Sequence, residues 1–256
     1  MSTVNWTDQD VAKLARVSEL LDTISYAQFR CLSFNDLLER ISSTIEHPDS
    51  MDYVGRLSEF NLDSASIDQL VTMMRELATR SEKCSSDVRA RVDRVVLRLV
   101  KLLPSSEAQH FVEPFVKHPR KSRRSWAYRG LRNAKISSSM ARTLVEAFYR
   151  SGDQEALTLI ARQADAVLSV DANTLLVNLD EEYWRARVIE VLLTHDRRTA
   201  IALSDGYPYE FAHAVGRTED KTLLQSVCKL FDANREDAEF LSIYAYARKT
   251  KCFPTA

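Results

Sequence analysis

The sequence predicts an all-α protein. Apolar residues recur in steps of three and four along nearly the whole chain, and the segments between those runs are short. No run of alternating β-branched residues occurs, and Asp205-Gly206 is flanked by helical rather than strand patterns.

The elements follow in chain order. Thr7 with Asp10 has the form of a capping box before Val11, Leu14, Ala15 and Leu21, which predicts a helix over 7–24. A second runs over 27–46, and His47-Pro48-Asp49-Ser50 reads as a turn before a helix at 51–60. Asp63 or Ser64 can cap 64–82, whose Ile67, Leu70, Val71, Met74, Leu77 and Ala78 share a face. Asp87 can cap 87–103, where Val88, Val92, Val95, Val96, Leu99, Leu102 and Leu103 make the apolar stripe. Pro104 stops that helix, and Ser105 or Ser106 can cap 105–117. Further helices are expected at 120–133, 137–150, 153–164, 171–178, 181–194, 196–204, 207–216, 219–232 and 235–249. Short connections make consecutive helices antiparallel neighbours.

Composition excludes several chemistries. The 256 residues include five glycines and six prolines, and the glycines stand alone, so neither GxGxxG nor a P-loop is present. A Rossmann enzyme or P-loop ATPase is therefore not expected. Cys31, Cys84, Cys228 and Cys252 show no CxxC spacing, which points to reduced thiols rather than a zinc or redox site. His47, His110, His118, His195 and His213 lack HExxH or paired i, i+4 spacing, and no serine sits in GxSxG. No catalytic residue, metal or cofactor is expected. The start of the chain is polar and acidic, and basic residues interrupt the apolar stretches, so a cytoplasmic protein without a membrane partner is expected.

The helices carry an internal echo. Arg89-Ala90-Arg91-Val92 returns as Arg185-Ala186-Arg187-Val188, 96 residues later. RRSWAYRGLR at Arg123–Arg132 and QEALTLIAR at Gln154–Arg162 fall near the intermediate periods. This pattern, over roughly 87–249, resembles HEAT-type α-α superhelical repeats. The resemblance implies an α-solenoid, a right-handed superhelix of antiparallel helix pairs that binds partners rather than catalysing. Residues 83–256 would form the repeats, and 1–82 an N-terminal helical cap over the exposed end of the stack or a small helical subdomain.

Charge is unevenly placed. The chain has 35 Lys and Arg against 36 Asp and Glu, yet Pro114 to Val145 holds no acid and nine bases. Within and before this window, two sets stand out. Arg91, Arg94, Arg98 and Lys101 step by three, four and three along one helix. Arg120, Lys121, Arg123, Arg124, Arg129 and Arg132 sit on or beside the helix at 120–133. If the two helices are first helices of adjacent repeats, the stripes merge into one ridge. Arginine's planar fork suits carboxylates and phosphates. Glu107, Glu113 and Glu146 are the candidate intramolecular partners, and Trp126 falls where a core residue is expected.

The function expected is a non-enzymatic scaffold whose arginine-rich face holds an acidic protein surface or peptide. The alternative is nucleic-acid binding. HEAT-like AlkD-type DNA glycosylases use a basic groove and a carboxylate facing an aromatic cleft, and Trp184 beside Glu181, Glu182 and Tyr183 has those residue types. Toward the C-terminus, Tyr207, Tyr209, Phe211, Phe231, Phe240, Tyr244, Tyr246 and Phe253 read as packing of the last helices.

Overall fold

The protein is described from a computed structural model that covers residues 16, 29–45, 50–218, 221–223, 226, 227 and 230. The helices expected at 7–24 and 235–249, most of 219–232, and the aromatics from Phe231 onward lie outside the described residues. Within them are thirteen α-helices, one short 3-10 turn at Lys221–Leu223 and no strand. The chain divides into two compact units, Met1–Leu102 and Leu103–Ala256.

In the first unit, α1 (Phe34–Ser43) begins at a capping box. The Ser33 hydroxyl accepts the Asp36 N–H at 3.2 Å, and the Asp36 carboxylate accepts the Ser33 N–H at 3.0 Å. Hydrogen bonds from Ser33 hold that carboxyl below its usual range. The box places the helix start inside the stretch expected to be helical from 27. α2 (Ser50–Leu57) follows, then α3 (Ser64–Glu82), where Asp63 accepts the Ser66 N–H at 2.8 Å. α4 (Ser86–Val100) completes the unit. Its N-cap is Ser85, and Asp87 sits in the first turn, where a carboxylate favours the helix dipole instead of capping it. α1 packs on α2 and α3, and α4 packs on α2 and α3. Leu37, Ile41, Leu57, Leu70, Met74 and Leu99 are fully buried between them, each worth about 1.5–3 kcal/mol of transfer free energy.

The second unit repeats the arrangement. α5 (Ser105–Val116) pairs with α6 (Lys121–Leu131), and α7 (Ser138–Ser151) pairs with α8 (Gln154–Ala161). α5 also packs on α7, and α6 on α8. Pro104 itself is the N-cap of α5, with Ser105 one residue inside. The helix expected over 153–164 is broken. Gln163 is extended, and a separate turn, α9 (Ala164–Val167), follows it. The Gln163 side chain instead holds the loop before α7, donating to the Ala134 carbonyl and accepting the Ile136 N–H at 2.7 and 2.8 Å. Gln109 grips the next residues of that loop, donating to the Lys135 carbonyl and accepting the Ser137 N–H. α10 (Ala172–Asn178), α11 (Glu182–His195), α12 (Arg197–Ala202) and α13 (Pro208–Thr218) finish the unit, with α11 central to all of them.

The recurring arginine has a structural explanation. Arg89, Arg124 and Arg185 each occupy the fourth position of their helix. Each folds its guanidinium back onto carbonyls at or just past the end of the preceding helix: Ser81, Glu82 and Cys84 for Arg89, His118 and Pro119 for Arg124, Leu179 and Asp180 for Arg185. Those carbonyls lack an intrahelical donor, and the arginine supplies it.

Candidate basic binding surface

The basic residues singled out in the sequence fall in both units. Arg91, Arg94, Arg98 and Lys101 belong to the first, the other six to the second. α4 and α6 are each the second member of a helix pair, packed on α3 and α5.

On α4 the expected stripe is present. Arg91, Arg94, Arg98 and Lys101 are all exposed, while Val92, Val95, Val96, Leu99 and Val100 face the core. At about 100° per residue the four cations fall within one quadrant of the helix surface. Arg94 turns its Nε toward the Ala90 carbonyl at 3.3 Å. Asp87, one turn before Arg91, is the acid at the N-terminal end of the same face.

On and beside α6 the residues separate into two groups. Arg120, Lys121, Arg129 and Arg132 are exposed. Arg123 is buried at 4% exposure, and Arg124 is locked inward. The Arg124 Nε donates to Asp153 at 2.5 Å, and its Nη1 donates to the His118 and Pro119 carbonyls. The Tyr128 hydroxyl donates to the same Asp153 carboxylate at 3.3 Å. Burial pushes the Asp153 carboxyl up, but hydrogen bonds, led by that from Arg124, outweigh it and hold the group below its usual range. Burial, reinforced by the Asp153 charge, drives the Tyr128 phenol well above its usual range, so it stays a neutral donor. Arg124 is held even more firmly charged by Asp153. Trp126 is buried at 6% exposure against Phe115 and Phe111, with ring centroids 4.9 and 6.2 Å away. It packs the core as the sequence indicated, and it is withdrawn from any stacking role.

The acids that answer the acid-free window come from the next helix pair. Arg132 pairs with Glu155 at 3.0 Å and Lys135 with Asp165 at 2.8 Å, while Lys117 has Glu113 at 3.4 Å. Of the three glutamates expected as partners, Glu113 takes that role in an ion pair. Asp153 reaches Arg124 because Gly152, with φ +71°, turns the chain sharply after α7.

Around α11, Arg162 lies over the Trp184 ring at 5.1 Å and Arg217 over Tyr183 at 5.6 Å. Arg with aromatic rings suits base stacking, but Asp180, Glu181 and Glu182 are exposed beside them and repel phosphate. A cavity of about 240 Å³ is lined by Glu182, Tyr183, Tyr209, Glu210 and His213. The buried Glu210 carboxylate there is held by the Arg185 Nε at 2.6 Å, which leaves it a structural anion. Among the described residues no cluster of His, Cys, Asp and Glu is arranged to hold a metal, and no helix is long and apolar enough to cross a membrane. Residues that the sequence did not single out include Arg150 and Ser151. With Lys117, His118 and Arg124 they line a separate cavity of about 330 Å³.

No family model, curated protein or solved structure matches this chain.

Proposed function

We propose that this protein is a non-enzymatic helical-repeat scaffold, an α-solenoid of stacked helix pairs, that binds an acidic protein surface or peptide through the basic face of α4. The solenoid reading is supported by the order of neighbours, in which first helices meet first helices and second meet second in each unit: α1 with α3, α2 with α4, α5 with α7, α6 with α8. The binding reading rests on one observation, the four cations Arg91, Arg94, Arg98 and Lys101 exposed along a single helix face. Within the second unit, Arg120, Lys121, Arg129 and Arg132 are exposed, whereas Arg123 and Arg124 serve its interior.

An acidic peptide labelled with a fluorophore tests this directly by anisotropy at low ionic strength. Arg94→Glu with Arg98→Glu is expected to weaken binding by about tenfold or more, since rim charges act mainly through steering and salt-sensitive attraction. Equal binding by this variant and the parent chain overturns the reading. A duplex and a single-stranded oligonucleotide form the rival arm. A steep linear fall of log affinity with log salt, together with binding tighter than the peptide's, would assign the face to nucleic acid.

A further inference from the structure

The second unit holds a cavity of about 330 Å³ at the C-terminal ends of α5 and α7, lined by Lys117, His118, Arg124, Arg150 and Ser151 and, among the described residues, by no acid. We propose that this cavity binds a phosphate monoester. The inference is independent of the α4 face.

Three features carry it. First, the cations come from three separate elements: Lys117 from the end of α5, Arg124 from α6 and Arg150 from the last turn of α7. Lys117 and Arg150 can meet an anion from two sides, and Arg124 keeps one Nη2 N–H beyond those given to Asp153, His118 and Pro119, so the set offers donors to the three terminal oxygens of a phosphate monoester. Second, the site is partly organised in advance. Arg124 is fixed by Asp153 and by the His118 and Pro119 carbonyls. His118 accepts the Arg120 backbone N–H on Nδ1 at 3.1 Å, which assigns its ring proton to Nε2. Third, the outer cations are easily recruited. Lys117 is held by Glu113 at 3.4 Å in a pair about 40% exposed at each end, a type worth little. Arg150 is exposed and makes no ion pair among the described residues.

Charges around the cavity favour an anion. Asp153 offsets Arg124 and Glu113 faces Lys117, leaving Arg150 uncompensated, with Arg120 and Lys121 exposed at the start of α6. The carbonyl ends of α5 and α7 act in the opposite direction, and Lys117 and Arg150 stand where they answer those dipoles. The volume exceeds that of a bare phosphate, so an esterified group fits. The shared chemistry is the phosphate monoester, whether on a small molecule or on a peptide side chain.

The full chain is titrated with inorganic phosphate, O-phospho-L-serine and a phosphoserine peptide at constant ionic strength set with chloride, following backbone amide chemical shifts. The proposal expects saturable shifts confined to residues 116–124 and 147–153. Lys117→Gln and Arg150→Ala, both at exposed positions, should each weaken binding by about tenfold, and Arg94→Glu should leave it unchanged. Tighter binding of the peptide assigns the ligand to a protein partner, and tighter binding of free phosphoserine to a small molecule. Shifts that fail to saturate, or equal affinity in the Lys117→Gln/Arg150→Ala double variant, overturn the site.

Discussion

Arg124 and Arg94 look alike as letters in a basic stretch, yet their surroundings give them opposite duties. Arg94 is exposed on α4, and its charge is available to solvent. Arg124 is joined to Asp153 with both side chains at about a tenth exposure or less. Removing one partner of such a pair strands a charge in the interior, at a cost of about 3–5 kcal/mol. Arg124→Ala is therefore expected to lower the unfolding free energy from urea titration strongly, while Arg94→Ala changes it by less than about 0.5 kcal/mol. Asp153 adds a pH dependence. Its folded carboxyl titrates below its unfolded value of about 3.9, so its contribution is complete above that value. It is lost as pH falls through the folded pKa. The stability gap between the parent chain and Asp153→Asn should then be widest near neutrality and shrink below about pH 4, as read by denaturant titrations across pH.

At the scale of elements, caps and turns decide where helices end. Gly152 closes α7 with φ +71°, and a Cβ placed there would meet nothing within 4 Å. The cost of Gly152→Ala is thus conformational alone, about 1 kcal/mol, measurable as a shift in Tm. Ser33 heads a capping box on α1, and Ser33→Ala is expected to cost about 1 kcal/mol, visible as faster amide exchange in the first turn of α1. Much of this scale was legible in advance. Asp63 accepts a backbone N–H at the start of α3, as its position before an apolar-periodic run suggested, and Ser137 and Asp171 do the same at the starts of α7 and α10. The break at Gln163 was not legible, because nothing local opposes a helix there. Its side chain is committed to loop atoms 27 and 29 residues away.

At the scale of the whole molecule, charge segregation matters more than net charge. The formal net charge is −1, with 35 bases and 36 acids. A protein so balanced ordinarily binds ion exchangers weakly near neutral pH, but a localised basic face overrides the average. The chain is expected to be retained on a cation exchanger at pH 7 in low salt. Arg94→Glu with Arg98→Glu should shorten that retention, and equal elution of parent and variant would show that the α4 stripe does not dominate the surface field.

The sequence by itself determined the helical class, most helix positions, the burial of Trp126 and the stripe on α4, because each follows from periodicity and capping within a few turns of chain. The echo of Arg89 in Arg185 was also readable there, though not its purpose. Only the tertiary structure decided which cations face solvent and which are spent inside. Asp153 lies 29 residues from Arg124 and Glu155 lies 23 from Arg132. Coulomb energy depends on distance in space, and helix packing sets that distance where spacing along the chain does not.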